Sequence, residues 1–217
     1  RPRAIFVTAI DPRPLAPDPV VIVSRDVENF AIGLEVLTRL TEGNVWLCTA
    51  TNWDITLPGI DRVQRAIFSG PHPAGLPGTH MHFLAPVDAN HVNWHINFQD
   101  VTALGRLFGQ GQIHTGRIVS LCGACVTEPR LVTTRLGASL EEVLQDGTCE
   151  TAVCRVISGS LLEGRAATGT LAYLGRYDNQ VSVLREGGRS FVFGWGGLFP
   201  RRFTTAPTFA RGSGHRK

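Results

Sequence analysis

No charged side chain occurs between Arg65 and Asp88, a gap long enough to cross a bilayer as a helix. Pro71, Pro73, Pro77 and Pro86 fall inside it, however. They would break the internal backbone bonding that hydrocarbon demands, so a transmembrane helix is excluded there. Acid is also absent from the last seventeen residues, which hold Arg201, Arg202, Arg211, Arg216 and Lys217. Without them the chain has sixteen basic against eighteen acidic residues, a net of −2. The body therefore has no basic footprint, and nucleic acid is not an expected partner. No charged-then-apolar leader opens the chain, and five cysteines cannot all pair. Both point to a reduced, cytoplasmic compartment. Arg1 rather than Met stands first, which raises the expectation of a fragment or processed chain.

Several chemical signatures are missing as well. There is no G-x-G-x-x-G after a strand and no P-loop, so neither cradle for a nucleotide phosphate is present. A nucleophile elbow, an H-E-x-x-H pair, convincing paired carboxylates, repeats and low-complexity segments are likewise absent.

What is present, in 217 residues of which 43% are hydrophobic and 18% charged, is enough for one large or two small cores. AIFVTA at 4–9 reads as a buried strand. Four prolines between 12 and 19 forbid regular structure before VVIV at 20–23, which reads as a further strand. Asp26 then precedes ENFAIGLEVLTRL, whose Phe30, Leu34, Leu37 and Ile32, Val36, Leu40 recur at helical spacing up to Gly43. VWLCTA at 45–50 follows as a strand, and a second helix is expected at 98–109. Strand, helix and strand with tight connections predict a parallel sheet, so residues 1–112 read as an α/β, Rossmann-like domain.

From Gly116 the texture changes. RIVSLCGACV and RLVTTRL flank Glu128-Pro129 and predict a hairpin. Ser139 to Glu142 has the form of a capping box before a short helix closed by Gly147. Strands at 152–157 and 180–185 would complete a small sheet. Hairpin, helix, strands is the order of an α+β β-grasp domain, here 113–187, followed by an irregular basic tail at 188–217 expected to be poorly ordered or dependent on a partner.

The candidate site is GPHPAGLPGTHMHF, Gly70 to Phe83, with three prolines, three glycines and three histidines. Such a mixture of restricted and permissive backbone predicts a loop built to one shape. His80 and His82 on an extended segment, with His91 and His95 on a helical face, could meet around zinc and make a hydrolase; the competing reading is a set of isolated structural histidines. Cys122 and Cys125 with Cys149 and Cys154 imitate a four-thiolate site. Residues i and i+3 of a strand face opposite sides, however, so small buried hydrophobes are the favoured reading.

The same loop carries a resemblance. GPHPAGLPGTHMHFLAPV, followed by Asn93-Trp94, Ile96-Asn97 and Gln99-Asp100, resembles the NqrA family of the sodium-translocating NADH:quinone oxidoreductase. AIFVTAID, GLEVLTRLTEGNVWLC, RIVSL, EPRLV, LGASLEE, RVISGSLL and YLGRYDNQVSVLREG agree in family order. The resemblance implies a peripheral subunit on the cytoplasmic side of the bacterial inner membrane, in a complex that passes electrons from NADH to ubiquinone and expels Na⁺. It implies no cofactor in this chain, with FAD, FMN, riboflavin and 2Fe-2S on other subunits, and the membrane subunit NqrB as chief partner. It also implies Rossmann-like and soluble-ligand-binding β-grasp domains whose flavin-holding glycines are altered. The family's N-terminal lipoyl-like and C-terminal helical domains are absent from this sequence, and the pattern is lost after about Gly188. On this reading Gly70, Pro71, His72, Pro73, Gly75, Gly78, His80, His82 and Phe83 form a quinone-facing or subunit-docking surface at the carboxyl end of the sheet. The alternative is a rigid loop that braces the two domains, in a purely structural scaffold subunit.

Overall fold

A computed structural model describes residues 1–145, 147 and 154–186. β1 (Ala4–Ala9) is central in its sheet, which explains why it is apolar at every position but Thr8: a strand covered on both faces has little solvent side for polar residues. β2 (Val45–Thr49), β3 (Val63–Ile67) and β4 (Asn93–Asn97) complete a wholly parallel sheet in the order β3-β2-β1-β4. Ile5, Val7 and Ala9 point to one face, where Phe30, Leu34 and Leu37 of α2 (Val27–Leu40) meet Phe98 and Val101 of α4 (Phe98–Gln110). Ala4 and Phe6 point to the other face, where they cluster with Cys48 of the neighbouring β2 and with Ala85. Burial of each such large side chain contributes roughly 1.5–3 kcal/mol. α2 and α4 cross almost backbone to backbone: a Cβ on Gly105 would overlap the Asn29 carbonyl oxygen, and one on Gly33 would overlap that of Val101.

Several local expectations are corrected. VVIV is helical: α1 (Pro19–Val23) begins with Pro19 in its first turn, and the Asp18 carboxylate accepts the Val20 N–H at 2.9 Å. A capped start with a prefixed φ outweighs the β-preference of four branched residues. The second half of the expected loop is α3 (Pro77–Leu84), again started by a proline. His80 and His82 therefore lie on a helix, not an extended segment, while His95 lies on β4 and His91 in the turn before it.

The second sheet runs β6-β5-β9-β7-β8, from β5 (Gly116–Cys122), β6 (Arg130–Arg135), β7 (Cys154–Ser158), β8 (Arg165–Ala166) and β9 (Gln180–Arg185). The hairpin around Glu128-Pro129 is present, with Leu121 opposite Arg130. β5 and β9 pair in parallel at the centre, and the other pairs are antiparallel. α5 (Leu140–Leu144) buries Leu140 and Leu144 against Val119, Leu121, Val181 and Val183. Ser139 occupies its N-cap position but makes no side-chain cap bond, so the capping box is a pattern without its hydrogen bond. Cys125 is bonded to Cys154, which corrects the reading of these two as free thiols. Cys48 and Cys122 are buried and free, and burial pushes the Cys48 thiol up to about 12. The basic tail and Cys149 lie outside the described residues.

Candidate functional site

β1 and β4 lie side by side in the sheet, and a crevice opens at their carboxyl ends. Its volume is about 520 Å³. Thr8 of β1, Ile10 just after it, and Asn97 and Phe98 at the β4–α4 junction line it, together with Glu163, Arg176 and Asp178 from connections of the second domain.

α4 fixes the second domain over this crevice. Asn97 caps the helix by accepting the Gln99 N–H at 2.9 Å. The Gln99 side chain reaches β5, donating to the Ile118 carbonyl at 2.8 Å and accepting the Ile118 N–H at 2.9 Å. Asp100 accepts two guanidinium groups from the second domain, buried Arg117 and half-exposed Arg176, the latter at 2.9 Å. Ser120 donates to the Leu15 carbonyl at 2.8 Å and Gln180 to that of Pro14 at 3.2 Å.

The connection after β1 carries its own charges. Arg13 donates from Nε to Asp11 at 2.7 Å and lies 3.5 Å from Glu163 of the second domain. The hydrogen bond to Asp11 holds the Arg13 guanidinium above its ordinary value, against the opposing effect of burial. At the far end, Arg106 donates to His114 Nδ1 at 3.0 Å and to Asp26 at 2.7 Å. Burial first, then the charges of Arg106 and Arg117, push the His114 imidazole below its ordinary value, with Asp26 opposing.

The proline-glycine segment is held from within by its own helix. His80 is wholly buried, packs tilted against Phe68 with ring centres 4.3 Å apart, and donates from Nε2 to the Ala74 carbonyl at 2.9 Å. Burial lowers its pKa, and the bond to Ala74 only partly offsets this. Thr79 donates to the Pro73 carbonyl at 3.0 Å, and the His72-Pro73 peptide is cis. Gly75 is buried where a Cβ would overlap Pro12 and come within 2.9 Å of the Ile10 carbonyl oxygen, so this loop presses against the end of β1.

The expected site residues therefore divide. His72 and Gly75 line the crevice. His80 braces the loop. Gly70, Pro71, Pro73 and Gly78 are exposed or half-buried, and Gly70 takes a φ of 122°. Gly78 has open space around it and no positive φ, which removes the expected reason for glycine there. His82 and Phe83 face solvent on α3, in edge contact at 5.2 Å with Phe83 71% exposed. The four histidines of the zinc alternative do not converge. Among the described residues no group of three or more His, Cys, Asp or Glu is placed to hold a metal ion. Sequence reasoning missed Asp100, Arg117 and Arg176 as a cluster.

The fold and crevice define a class: a parallel α/β unit clamped to a mixed five-stranded sheet, with a crevice at the carboxyl ends of the parallel strands. The model described as the NqrA second alpha/beta domain matches residues 1–113, and that of the NQRA C-terminal domain matches residues 118–169. The chain belongs to the NqrA family. It is 52% identical over 196 residues, 90% of its length and 43% of the relative's, to the NqrA subunit of the Na⁺-translocating NADH-quinone reductase of Rhodopirellula baltica. To the corresponding subunit of Vibrio alginolyticus it is 49% identical over 207 residues, 95% of this chain and 46% of that one. The chain thus spans a little under half the length of these relatives. Among solved structures, a chain of the NAD⁺-reducing [NiFe]-hydrogenase in the air-oxidized state shares the fold at a TM-score of 0.63 and 14% identity, over 85% of this chain and 40% of that one.

Proposed function

We propose that this chain works as part of the NqrA subunit of a Na⁺-translocating NADH:ubiquinone reductase, an oxidoreductase and translocase in which it holds no redox centre. The observation that carries the reading is that both units, in order and between residues 1 and 169, match models of one family. On this reading residues 1–112 are a Rossmann-like domain, a reading supported by the strand order β3-β2-β1-β4. Residues 113–187 are a β-grasp domain, supported by a hairpin, a helix and a central parallel β5–β9 pair.

FAD, FMN, riboflavin and the 2Fe-2S cluster belong to other subunits. Supporting this, the turn after β1 is Asp11-Pro12-Arg13-Pro14, with Pro12 against Gly75, where a dinucleotide fold carries glycines beside a pyrophosphate. The partner surface is the outer side of α3, where His82 and Phe83 are exposed, and its partner is the membrane subunit NqrB on the cytoplasmic side of the inner membrane. No helix among the described residues is long and apolar enough to cross a membrane. A scaffold role for the loop is supported by the burial of His80. Affinity purification of a tagged chain from native membranes tests the proposal: it should bring down NqrB and an NADH:ubiquinone reductase activity stimulated by Na⁺. Recovery of the chain without either would refute it.

A further inference from the structure

The crevice has two unlike walls. Leu104, Leu107, Ile113 and Leu136 form an apolar wall, and the Tyr177 ring, 76% exposed, stands at its lip. The other wall carries Asp11, Glu163 and Asp178, with Arg13 between the first two. Asp100, which lines the crevice, is shared by two guanidiniums: Arg176, which also lines it, and Arg117, buried behind it. Arg117, 4% exposed, and Arg176, 50% exposed, both bind Asp100, which is itself 14% exposed. This cluster holds one positive charge more than it neutralises. Arg176 is the exchangeable member, because Asp100 keeps its buried partner when Arg176 turns away. Arg176 also lies 5.4 Å from the Tyr177 ring centre, so a planar group on that ring would sit beside the guanidinium.

We propose that the crevice binds a small amphipathic anion: a planar apolar body against Tyr177 and the leucine-isoleucine wall, with its anionic group taken by Arg176 in exchange for Asp100. The carboxylates of Asp11, Glu163 and Asp178 set the orientation, because they repel an anion from the opposite wall. A guanidinium suits a carboxylate, sulfonate or phosphate through paired N–H donors. This inference is independent of the proposed function and distinct from ubiquinone, which is neutral.

The test uses two fluorescent probes of nearly the same shape, 8-anilinonaphthalene-1-sulfonate and the uncharged N-phenyl-1-naphthylamine, titrated into the full polypeptide. The sulfonate should bind at one site per chain and more tightly than the neutral probe. Arg176→Gln should weaken the sulfonate roughly tenfold and leave the neutral probe unchanged. Arg176→Lys should restore part of the loss, and Ile113→Asp, at a residue 83% exposed and so harmless to folding, should weaken both. Equal affinity of the two probes would overturn the anionic class and favour a neutral ligand such as a quinone. Sulfonate binding indifferent to both Arg176→Gln and Ile113→Asp would overturn the site itself.

Discussion

The Gln99 side-chain amide pairs with both backbone groups of Ile118, donating at 2.8 Å and accepting at 2.9 Å. One side chain at the start of α4 thereby pairs with β5 as a neighbouring strand would, and directional bonds join the two units. Replacing Gln99 by Leu keeps the volume but strands an N–H and a C=O. The expected loss is about 1–3 kcal/mol in denaturant unfolding.

Asp100 should matter more. Asn at this position leaves Arg117 buried with an uncompensated charge, and unfolding measurements should show a loss of about 3 kcal/mol or more. Arg176→Gln removes only the half-exposed partner and should cost under about 1 kcal/mol. Equal effects of the two changes would contradict the division of labour around Asp100.

The glycines of the loop separate in the same way. Gly75→Ala drives a Cβ into Pro12 and the Ile10 carbonyl and should cost about 1–3 kcal/mol. Gly78→Ala lies in open space on α3 and should be neutral or stabilising by up to about 1 kcal/mol. Thermal melts of the two variants check this directly.

Much of this architecture was legible in the sequence. The α2 helix follows from apolar spacing, α4 falls where the sequence predicts a second helix, and the β5–β6 hairpin follows from Glu128-Pro129. What misled was local. VVIV has strand composition, yet Asp18 and Pro19 start a helix there. The run after Gly70 reads as loop because its prolines and glycines are helix breakers in mid-helix, whereas Pro77 sits at the first helical position, where its missing N–H costs nothing. For the site, the sequence indicated the right segment but not how it divides. That His80 turns inward while His82 and Phe83 turn outward depends on which face of α3 meets the sheet. The Asp100 cluster joins residues 17 and 76 positions apart, a pairing no local pattern encodes.

Acid should weaken the fold in a defined window. His80 and His114 are both held below the ordinary value of 6.5, chiefly by burial, so the folded protein binds fewer protons than the unfolded chain just below that pH. Their contribution is complete above about 6.5 and is lost as pH falls through it toward the lowered folded values. Denaturation midpoints should therefore drop between about pH 7.5 and about pH 5.5. His80→Gln, which cannot titrate, should show a shallower drop than the parent; an unchanged slope would contradict the burial argument.

The central claim is that the chain serves a Na⁺-translocating NADH:ubiquinone reductase, and deletion of its gene tests it most directly. Inverted membrane vesicles from the deletion strain should lose Na⁺ uptake driven by NADH and Na⁺-stimulated reduction of ubiquinone, and a plasmid copy should restore both. Vesicles that oxidise NADH with ubiquinone and accumulate Na⁺ at the parental rate without this chain would contradict the account.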